Sequence, residues 1–258
     1  MKGRIFLVVV LVVAAWFVGR QLGIGSHGEG RFELNQNYQL APGARVDVSG
    51  INGPVEITTS DTDTAEVHIL ITARDEEALE NHPINVQQSG SNLTIRGENR
   101  NGWRIWRWLK GSEDVHQSVT LKLPRQVELS AKGINGHVSV GELDGAVHVA
   151  GINGKVEIER ATGTADVSGV NGAVSLGLTH LGAEAPRVSG VNGRVELRFA
   201  DDVNADLVVR GLNGNVTNDL TNSTLTQEGH STWRAHIGTG GTLISINGVN
   251  GSVRLTRD

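Results

Sequence analysis

Apolar and polar residues alternate on both sides of a short motif that occurs seven times in this chain. Two residues beyond each motif stands a valine, and the next position but one is apolar in six of the seven copies. An apolar residue also stands two positions before each motif. A period of two places alternate side chains on opposite faces of a strand, so each motif is predicted to join two half-buried β-strands. The seven valines are Val55, Val138, Val156, Val174, Val195, Val216 and Val253.

The motif itself reads Gly, aliphatic residue, Asn, Gly. Glycine favours and asparagine tolerates the positive φ angles of a sharp turn, so the motif predicts a structural corner between the two strands. The corner residues are Asn52, Gly53, Asn135, Gly136, Asn153, Gly154, Asn171, Gly172, Asn192, Gly193, Asn213, Gly214, Asn250 and Gly251.

The spacing of the motifs favours a repeat architecture. The first glycines at 133, 151, 169, 190 and 211 are 18, 18, 21 and 21 residues apart, the size of one coil of a β-solenoid. We therefore expect an all-β fold, a single-stranded parallel β-solenoid (β-helix) whose coils lie about 4.8 Å apart and align the corner asparagines in a ladder. Asn-Gly between alternating runs is also a hairpin signal, and a two-residue turn would pair Val149 with Ile158 in an antiparallel meander.

Composition narrows the classes of function. The chain has 258 residues, 34 glycines, no cysteine and a formal net charge of -5. Abundant glycine and few helix-favouring stretches agree with an all-β chain. The absence of cysteine excludes disulfides, thiol chemistry and a lipidated cysteine. The negative charge and the lack of a basic face argue against nucleic acid as a partner.

The first residues predict export. Lys2 and Arg4 precede an uncharged apolar run, residues 5 to 19, which Arg20 closes. Fifteen residues suit the apolar region of a signal peptide and are short for a spanning helix, although residues 21 to 25 extend the run. Residues 1–25 are therefore read as a signal peptide or an N-terminal hydrophobic helix that anchors the chain, with cleavage left open. The rest is expected outside the cytoplasm, in the periplasm or at the cell surface, with the anchor in the cytoplasmic membrane.

The chain divides into four predicted parts. Residues 1–25 are the export segment, and residues 26–44 form a linker and the strand that leads into the domain. Residues 45–125 form a less regular N-terminal β cap with the first motif, in which residues 65–73 and 118–123 alternate as strands and residues 75–81 form an acidic helical turn. Residues 126–258 form the repeats, with a wide gap between Gly214 and Gly248 that has room for one degenerate coil.

The chain resembles a bacterial "putative adhesin" family with β-strand repeats, which includes the head GIN domains. The resemblance rests on the Gly-Ile-Asn triplets at 50–52, 133–135 and 151–153, and on the stretch from Val119 through Pro124 to Gly136, which is similar to the family's strand, Pro, strand, repeat junction. It covers residues 45 to 258. It implies an exported, membrane-associated β-solenoid and brings no catalytic residues with it.

A cluster of tryptophan and arginine stands apart from the repeats and departs from the family's pattern. It comprises Trp103, Arg104, Trp106, Arg107 and Trp108. Such a mixture suits a membrane interface, a platform for sugars or a protein contact. It also suits an apolar plug over the first coil, with the arginines in solvent.

Catalytic and metal sites find little support in the sequence. Glu56, Glu157 and Glu196 share an outward column, but serines interrupt it, whereas acid–base catalysis requires paired groups within hydrogen-bond reach. The nine histidines lack metal-ligand spacing, and Asp61, Asp63, Asp201 and Asp202 do not complete a calcium loop. The glycine-rich corners lack the helix and lysine of a phosphate loop. We expect no catalytic residues, no metal and no cofactor.

These observations predict a non-enzymatic, adhesin-like binding or scaffold protein of the bacterial envelope. Its partners would be the membrane, through the N-terminal segment, and a glycan, an envelope polymer or an envelope protein. An envelope-stress sensor or regulator of a membrane protein is the alternative, and a carbohydrate-active β-helix enzyme is a third reading.

Overall fold

The computed structural model describes residues 30–99, 115–179, 181–182 and 185–258, and these are almost entirely β-structure. The N-terminal part contains β1 (Gly30–Gln39), β2 (Arg45–Ser49), β3 (Val55–Ser60), β4 (Thr64–Ala73), α1 (Glu76–Asn81), β5 (Ile84–Ser89), β6 (Asn92–Gly97) and β7 (Val115–Pro124). The repeats contain β8 (Glu128–Ile134), β9 (Val138–Leu143), β10 (Val147–Asn153), β11 (Val156–Ala161), β12 (Ala165–Leu178), β13 (Arg187–Phe199), β14 (Ala205–Asn218), β15 (Ser223–Gln227), β16 (Thr232–Ile237) and β17 (Thr242–Arg257).

Neighbouring repeats pair in parallel and in register. Val149 of β10 lies opposite Val167 of β12, which lies opposite Val188 of β13, so each step moves one repeat along the chain. β10 and β11, which flank one corner, pair with β12 and not with each other. The antiparallel alternative, in which Val149 would pair with Ile158, is therefore wrong.

The inward-facing residues form one continuous core. Six of the seven valines that follow the motifs are at most 1% exposed, and the seventh, Val216 on the last rung, is 8% exposed. Burial of one such side chain contributes about 1.5–3 kcal/mol relative to leaving it in water. The period-two pattern is thus the main source of stability, because it turns a valine inward on every rung.

Spatial order departs from chain order at the C-terminal end. β17 lies between β13 and β14 and is parallel to both, with Ile246 between Val188 and Val209. β13 and β14 are consecutive repeats in the chain, yet they are held apart by the last strand. After β14 the chain forms a hairpin, β15 and β16, and then crosses the start of β14 through residues 238–241.

Antiparallel strands cover both ends of the stack. β1 and β7 flank β4 in antiparallel pairs at the N-terminal end, where β5 also pairs antiparallel with β6. At the other end β16 pairs antiparallel with β14. The wide gap before the last motif therefore holds a hairpin and not a degenerate coil.

The expectation of a uniform single-stranded parallel β-solenoid is corrected by this topology. The described strands form one mixed, 17-stranded sheet that curls into a nearly closed, barrel-like shape. Repeat spacing is a local property, and it does not specify which sheet edge a strand joins. That choice placed β17 inside the stack and antiparallel strands at its ends.

The cap region contains the one helix found among the described residues. Asp75 caps α1 by accepting a hydrogen bond from the Ala78 N–H at 2.8 Å, and Glu76 and Glu77 occupy the first turn. Both features favour a helix N-terminus. This helix corresponds to the acidic turn expected from the sequence. No helix within the described ranges is long and apolar enough to cross a bilayer, and the expected N-terminal hydrophobic helix lies outside those ranges.

Candidate functional sites

The seven corners share a positive φ at their first glycine, a conformation that favours glycine. The first glycine of every motif has φ between 61° and 69°. In six of the seven motifs, Gly136 being the exception, the second glycine has φ between 147° and 153°. No non-glycine residue in the described ranges has a positive φ, so the asparagines serve another purpose than backbone geometry.

The corner asparagines form a ladder of side-chain amides. Beyond the first rung, each Nδ2 donates to the Oδ1 of the preceding rung, at distances between 2.8 and 3.2 Å. The order along the ladder is Asn52, Asn135, Asn153, Asn171, Asn192, Asn250 and Asn213. Asn250 therefore stands between two residues that precede it in sequence, which agrees with the insertion of β17.

The two ends of this asparagine ladder differ. At the N-terminal end the Asn52 backbone N–H donates to Gln117 Oε1 at 2.7 Å, and Asn52 Nδ2 donates to the Val115 carbonyl at 3.4 Å. At the C-terminal end Asn213 donates to Asn250 at 3.0 Å, but nothing in the described part of the chain donates to Asn213 Oδ1. The first end is capped by β7 and the last end is open.

Replacement of a central ladder residue is expected to cost a moderate amount of stability. Asn171→Ala removes the hydrogen bonds to Asn153 and from Asn192. Because the asparagines are exposed, water replaces part of the loss, and we expect the free energy of unfolding to fall by about 1–2 kcal/mol. Denaturant titration measures this change. A change no larger than that of Asn215→Ala, which lies outside the ladder, would show that the amide chain does not contribute to stability.

The outward glutamates do not form a catalytic pair. Glu157 lies between Ser139 and Ser175, and Ser175 separates it from Glu196. Two strand spacings put these carboxylates about 10 Å apart. Lys155 Nζ lies 2.5 Å from Glu157 Oε2, and this hydrogen bond, opposed by slight burial, holds the pKa of Glu157 below its usual range. The column is a row of separate carboxylates, of which Glu157 is paired with a lysine.

Two of the four acidic residues weighed for calcium, Asp61 and Asp201, are engaged in ion pairs. Arg125 Nε donates to Asp61 Oδ1 at 2.8 Å, and Arg257 Nε lies 2.6 Å from Asp201 Oδ1. Within the described ranges no group of three or more acidic or histidine side chains is arranged to hold a metal ion.

A shallow groove opens on the outer face of the C-terminal hairpin. Its volume is about 360 Å³. Strand register places Thr224, His236 and Asp206 side by side across β15, β16 and β14, and Leu243 of β17 continues the row. Leu243 is 49% exposed, unusually high for a leucine in this protein. The lining residues are Asp206, Leu207, Thr224, Thr226, Arg234, Ala235, His236 and Leu243.

A hydrogen-bonded pair stands at one end of the groove. His236 Nδ1 lies 2.7 Å from Asp206 Oδ1, and the Gly241 N–H donates to Asp206 Oδ2 at 3.2 Å. These contacts, led by the one with His236, lower the pKa of Asp206. Asp206 therefore ties the crossing loop, residues 238–241, to the hairpin.

The lowered pKa of Asp206 predicts a pH-dependent contribution to stability. A carboxyl group with a depressed pKa in the folded state stabilises the fold above its ordinary pKa, near 3.8, and the effect disappears as the pH falls through the folded-state value. Asp206→Asn should therefore lower stability at pH 6, and the difference from the wild type should shrink below about pH 4. Thermal unfolding across this pH range measures it. A difference that does not vary with pH would contradict the assignment.

One strand beside the groove has an open edge. β15 pairs with β16 alone among the described strands. The Glu228 N–H donates to the Thr232 carbonyl and the Gly238 N–H to the Asn222 carbonyl, which fixes the alternation of the hairpin. The backbone N–H and C=O groups of Thr224 and Thr226 therefore point toward β16. The same groups of Ser223, Leu225 and Gln227 point away from the sheet.

The sites expected from the sequence and those formed by the fold overlap only in part. The corner residues meet in the ladder, but Trp103, Arg104, Trp106, Arg107 and Trp108 lie outside the described residues. The groove and the open edge were not expected. The alternation of residues 223–227 and 232–237 around a loop that contains Gly229 was the available signal for the hairpin.

No protein-family model matches this chain, and no curated protein matches it either. The resemblance to the head GIN family is therefore not confirmed. Among solved structures, a "putative cell adhesion protein" from Clostridium sporogenes is 9% identical, with a TM-score of 0.47, and the match covers 88% of this chain and 100% of that one.

Two further solved structures are less similar in shape. A "putative adhesin" from Bacteroides fragilis is 9% identical, with a TM-score of 0.30, over 87% of this chain and 97% of that one. A "putative lipid binding protein" from Parabacteroides distasonis is 12% identical, with a TM-score of 0.24, over 88% of this chain and 96% of that one. At such identities and TM-scores, these likenesses establish neither a family nor a function.

Proposed function

We propose that this protein is an exported, membrane-held, non-enzymatic binding protein of the bacterial envelope, and that it binds an extended segment of an envelope protein at β15. The open edge of β15 beside the groove is the observation that carries the proposal. The ladder and the core are the scaffold that presents this edge.

Natural sheets normally protect their edges with lysine, proline or a bulge. β15 reads Ser-Thr-Leu-Thr-Gln and has none of these protections. An added strand would pair with the free backbone groups of Ser223, Leu225 and Gln227. Its outward side chains would lie next to Thr224 and Thr226, over the groove.

The groove supports recognition of a polar segment with one apolar side chain. Thr224, Thr226 and His236 offer hydrogen-bonding groups, and Leu243 offers exposed apolar surface. Arg234 Nε donates to Glu228 Oε2 at 2.7 Å, so its positive charge is partly neutralised and attracts an acidic ligand less strongly. Backbone pairing would supply affinity, and these side chains would supply specificity.

Two features of the described residues support a non-enzymatic role. The carboxylates of the outward column stand apart, and among the described residues no side-chain hydroxyl forms a hydrogen bond with the Asp206–His236 pair.

Site-specific photo-crosslinking in cells that produce the full chain tests the binding edge. Thr224 is replaced by a photoreactive phenylalanine analogue. The control position is Arg194, whose side chain is exposed to solvent but which lies on β13, a strand with neighbours on both sides. We expect a discrete adduct with one envelope protein from position 224 alone. Gln227→Pro removes an outward N–H and leaves the backbone hydrogen bonds between β15 and β16 in place, so it should abolish the adduct. Gln227→Ala keeps the N–H and should not.

The same adduct from position 194, or an adduct that persists in Gln227→Pro, would contradict binding by strand addition. Membrane attachment is tested separately by fractionation. The full chain is expected in the carbonate-resistant membrane fraction, with residues 30–258 open to protease from outside the cytoplasm. Recovery in the cytosolic fraction would contradict export.

A further inference from the structure

Asparagine followed by glycine is the sequence most prone to spontaneous deamidation, because the glycine nitrogen meets little steric hindrance when it attacks the asparagine side chain. All seven corners of this protein carry that pair. The reaction needs a free backbone nitrogen and a side-chain amide that can turn toward it. The fold controls both at each corner.

Four inner corners, at Asn153, Asn171, Asn192 and Asn250, hold both groups in hydrogen bonds. The Gly154 N–H donates to the Asn171 carbonyl of the next rung at 3.0 Å. The same register continues through Gly172, Gly193 and Gly251, so each inner nitrogen faces an acceptor. The side-chain oxygen of each inner asparagine accepts from the following rung, and its nitrogen donates to the preceding one.

The last corner, Asn213-Gly214, differs in three respects. Asn213 Oδ1 accepts no hydrogen bond among the described residues. The Leu212 N–H donates to the Ser231 carbonyl, away from β17, so the Gly214 N–H, two residues on, points to the same side. The hairpin does not extend that far, because β16 pairs with residues 205–210 of β14. Gly214 is also exposed, whereas the second glycine of every other motif is half-buried.

We propose that Asn213-Gly214 is the deamidation site of the folded repeats and that the four inner corners at Asn153, Asn171, Asn192 and Asn250 are protected. The Gly214 nitrogen attacks Asn213 Cγ and loses its proton, and the Cγ–Nδ2 bond breaks with release of ammonia. The resulting succinimide takes up one water molecule and opens to aspartate or isoaspartate. The balance is asparagine plus water giving an acidic residue plus ammonia, with no oxidant or reductant.

The modification changes the end of the ladder. Asn213 Nδ2 is the donor to Asn250 Oδ1 at 3.0 Å, and this nitrogen leaves as ammonia. A carboxylate then faces the Asn250 oxygen, so acceptor meets acceptor. Deamidation therefore places a negative charge on the open end of the stack and loosens β14 from β17 locally.

Asn247-Gly248 separates exposure from hydrogen bonding as the cause. Both residues are exposed. At the equivalent position of the first corner, the Gly50 N–H donates to the Lys132 carbonyl of the next rung at 3.1 Å. Asn247 lies opposite Arg210 of β14, so the Gly248 N–H faces the Arg210 carbonyl in the same way. Because solvent reaches both residues, slow deamidation at this pair would show that hydrogen bonding of the glycine nitrogen, and not burial, gives the protection.

Peptide mapping by mass spectrometry on the aged full-length protein tests the proposal. The protein is incubated at pH 8 and 37 °C, and isoaspartate plus aspartate is measured at each pair. The same protein in denaturant is the control, because all corners then share a similar local sequence. We expect the folded protein to deamidate roughly tenfold or more faster at Asn213 than at Asn153, Asn171 or Asn192, and the denatured protein to show no such preference.

Two variants complete the test. Asn213→Gln should remain unmodified at this corner without raising the rate elsewhere. Asn213→Asp, the product of the reaction, should accelerate amide exchange at residues 213–218. Equal rates at all folded corners, or a rate at Asn247 equal to that at Asn213, would overturn the proposal.

Discussion

Gly193→Ala is expected to lower the free energy of unfolding by about 4 kcal/mol, from steric overlap and backbone strain together. A Cβ at this position would lie 1.8 Å from the Gly172 carbonyl oxygen and 2.7 Å from its carbonyl carbon. Both atoms belong to the backbone of the preceding rung, so neither can turn aside. The residue also has φ of 147°, which alanine rarely adopts. Denaturant titration, or the soluble yield if the variant unfolds, measures the effect.

Two other glycines separate the causes. Gly229 has φ of 80° and nothing within 4 Å of an added Cβ, so Gly229→Ala should cost only the backbone strain, about 1–2 kcal/mol. Gly182 has neither constraint, and Gly182→Ala should be close to neutral, within about 1 kcal/mol. If Gly193→Ala were no more destabilising than Gly229→Ala, close approach of the rungs would not be the reason for glycine at the corners.

Ile246→Ala is expected to cost about 3 kcal/mol because it leaves a cavity in the centre of the core. Ile246 is 0% exposed, and it lies between Val188 of β13 and Val209 of β14, which are also fully buried. The cavity weakens the contact of β17 with both neighbours. Denaturant titration gives the loss, and hydrogen exchange should show faster opening along β17.

Leu243→Ala, on the same strand, is the matched control. Leu243 is 49% exposed, and its truncation should change stability by no more than about 0.5 kcal/mol. Equal losses for the two variants would mean that β17 is not packed between β13 and β14.

The corners and the strands beside them follow from local sequence. Val156 and Ile158 alternate with Glu157, and this pattern alone predicts which side chains enter the core. Helix α1 is equally local, because Asp75 supplies its cap. The reason is physical: strand period and helix capping involve residues that are close in the chain.

The ends of the stack could not be predicted in this way. Nothing in the repeat spacing distinguishes β17 from a strand that would follow β14, since both carry the same motif. In the fold it joins the β13 edge, and β16 occupies part of the outer β14 edge. The choice is a competition between distant segments.

The groove depends on the same choice. Asp206 and His236 are 30 residues apart and have no recognisable motif, yet strand register brings them within 2.7 Å. Leu243 joins them because β17 pairs with β14. No local pattern predicts such a row, because each member comes from a different strand.

The sequence by itself determined the all-β class, the inward valines and the glycine corners, because these depend on a short period and on the steric freedom of glycine. It favoured parallel pairing of neighbouring repeats but left the antiparallel alternative open. Only the tertiary structure decided the curled mixed sheet, the insertion of β17, the open edge of β15 and the exposed end of the asparagine ladder. These features arise from pairing between strands far apart in the chain, and several pairings satisfy the same local pattern equally well.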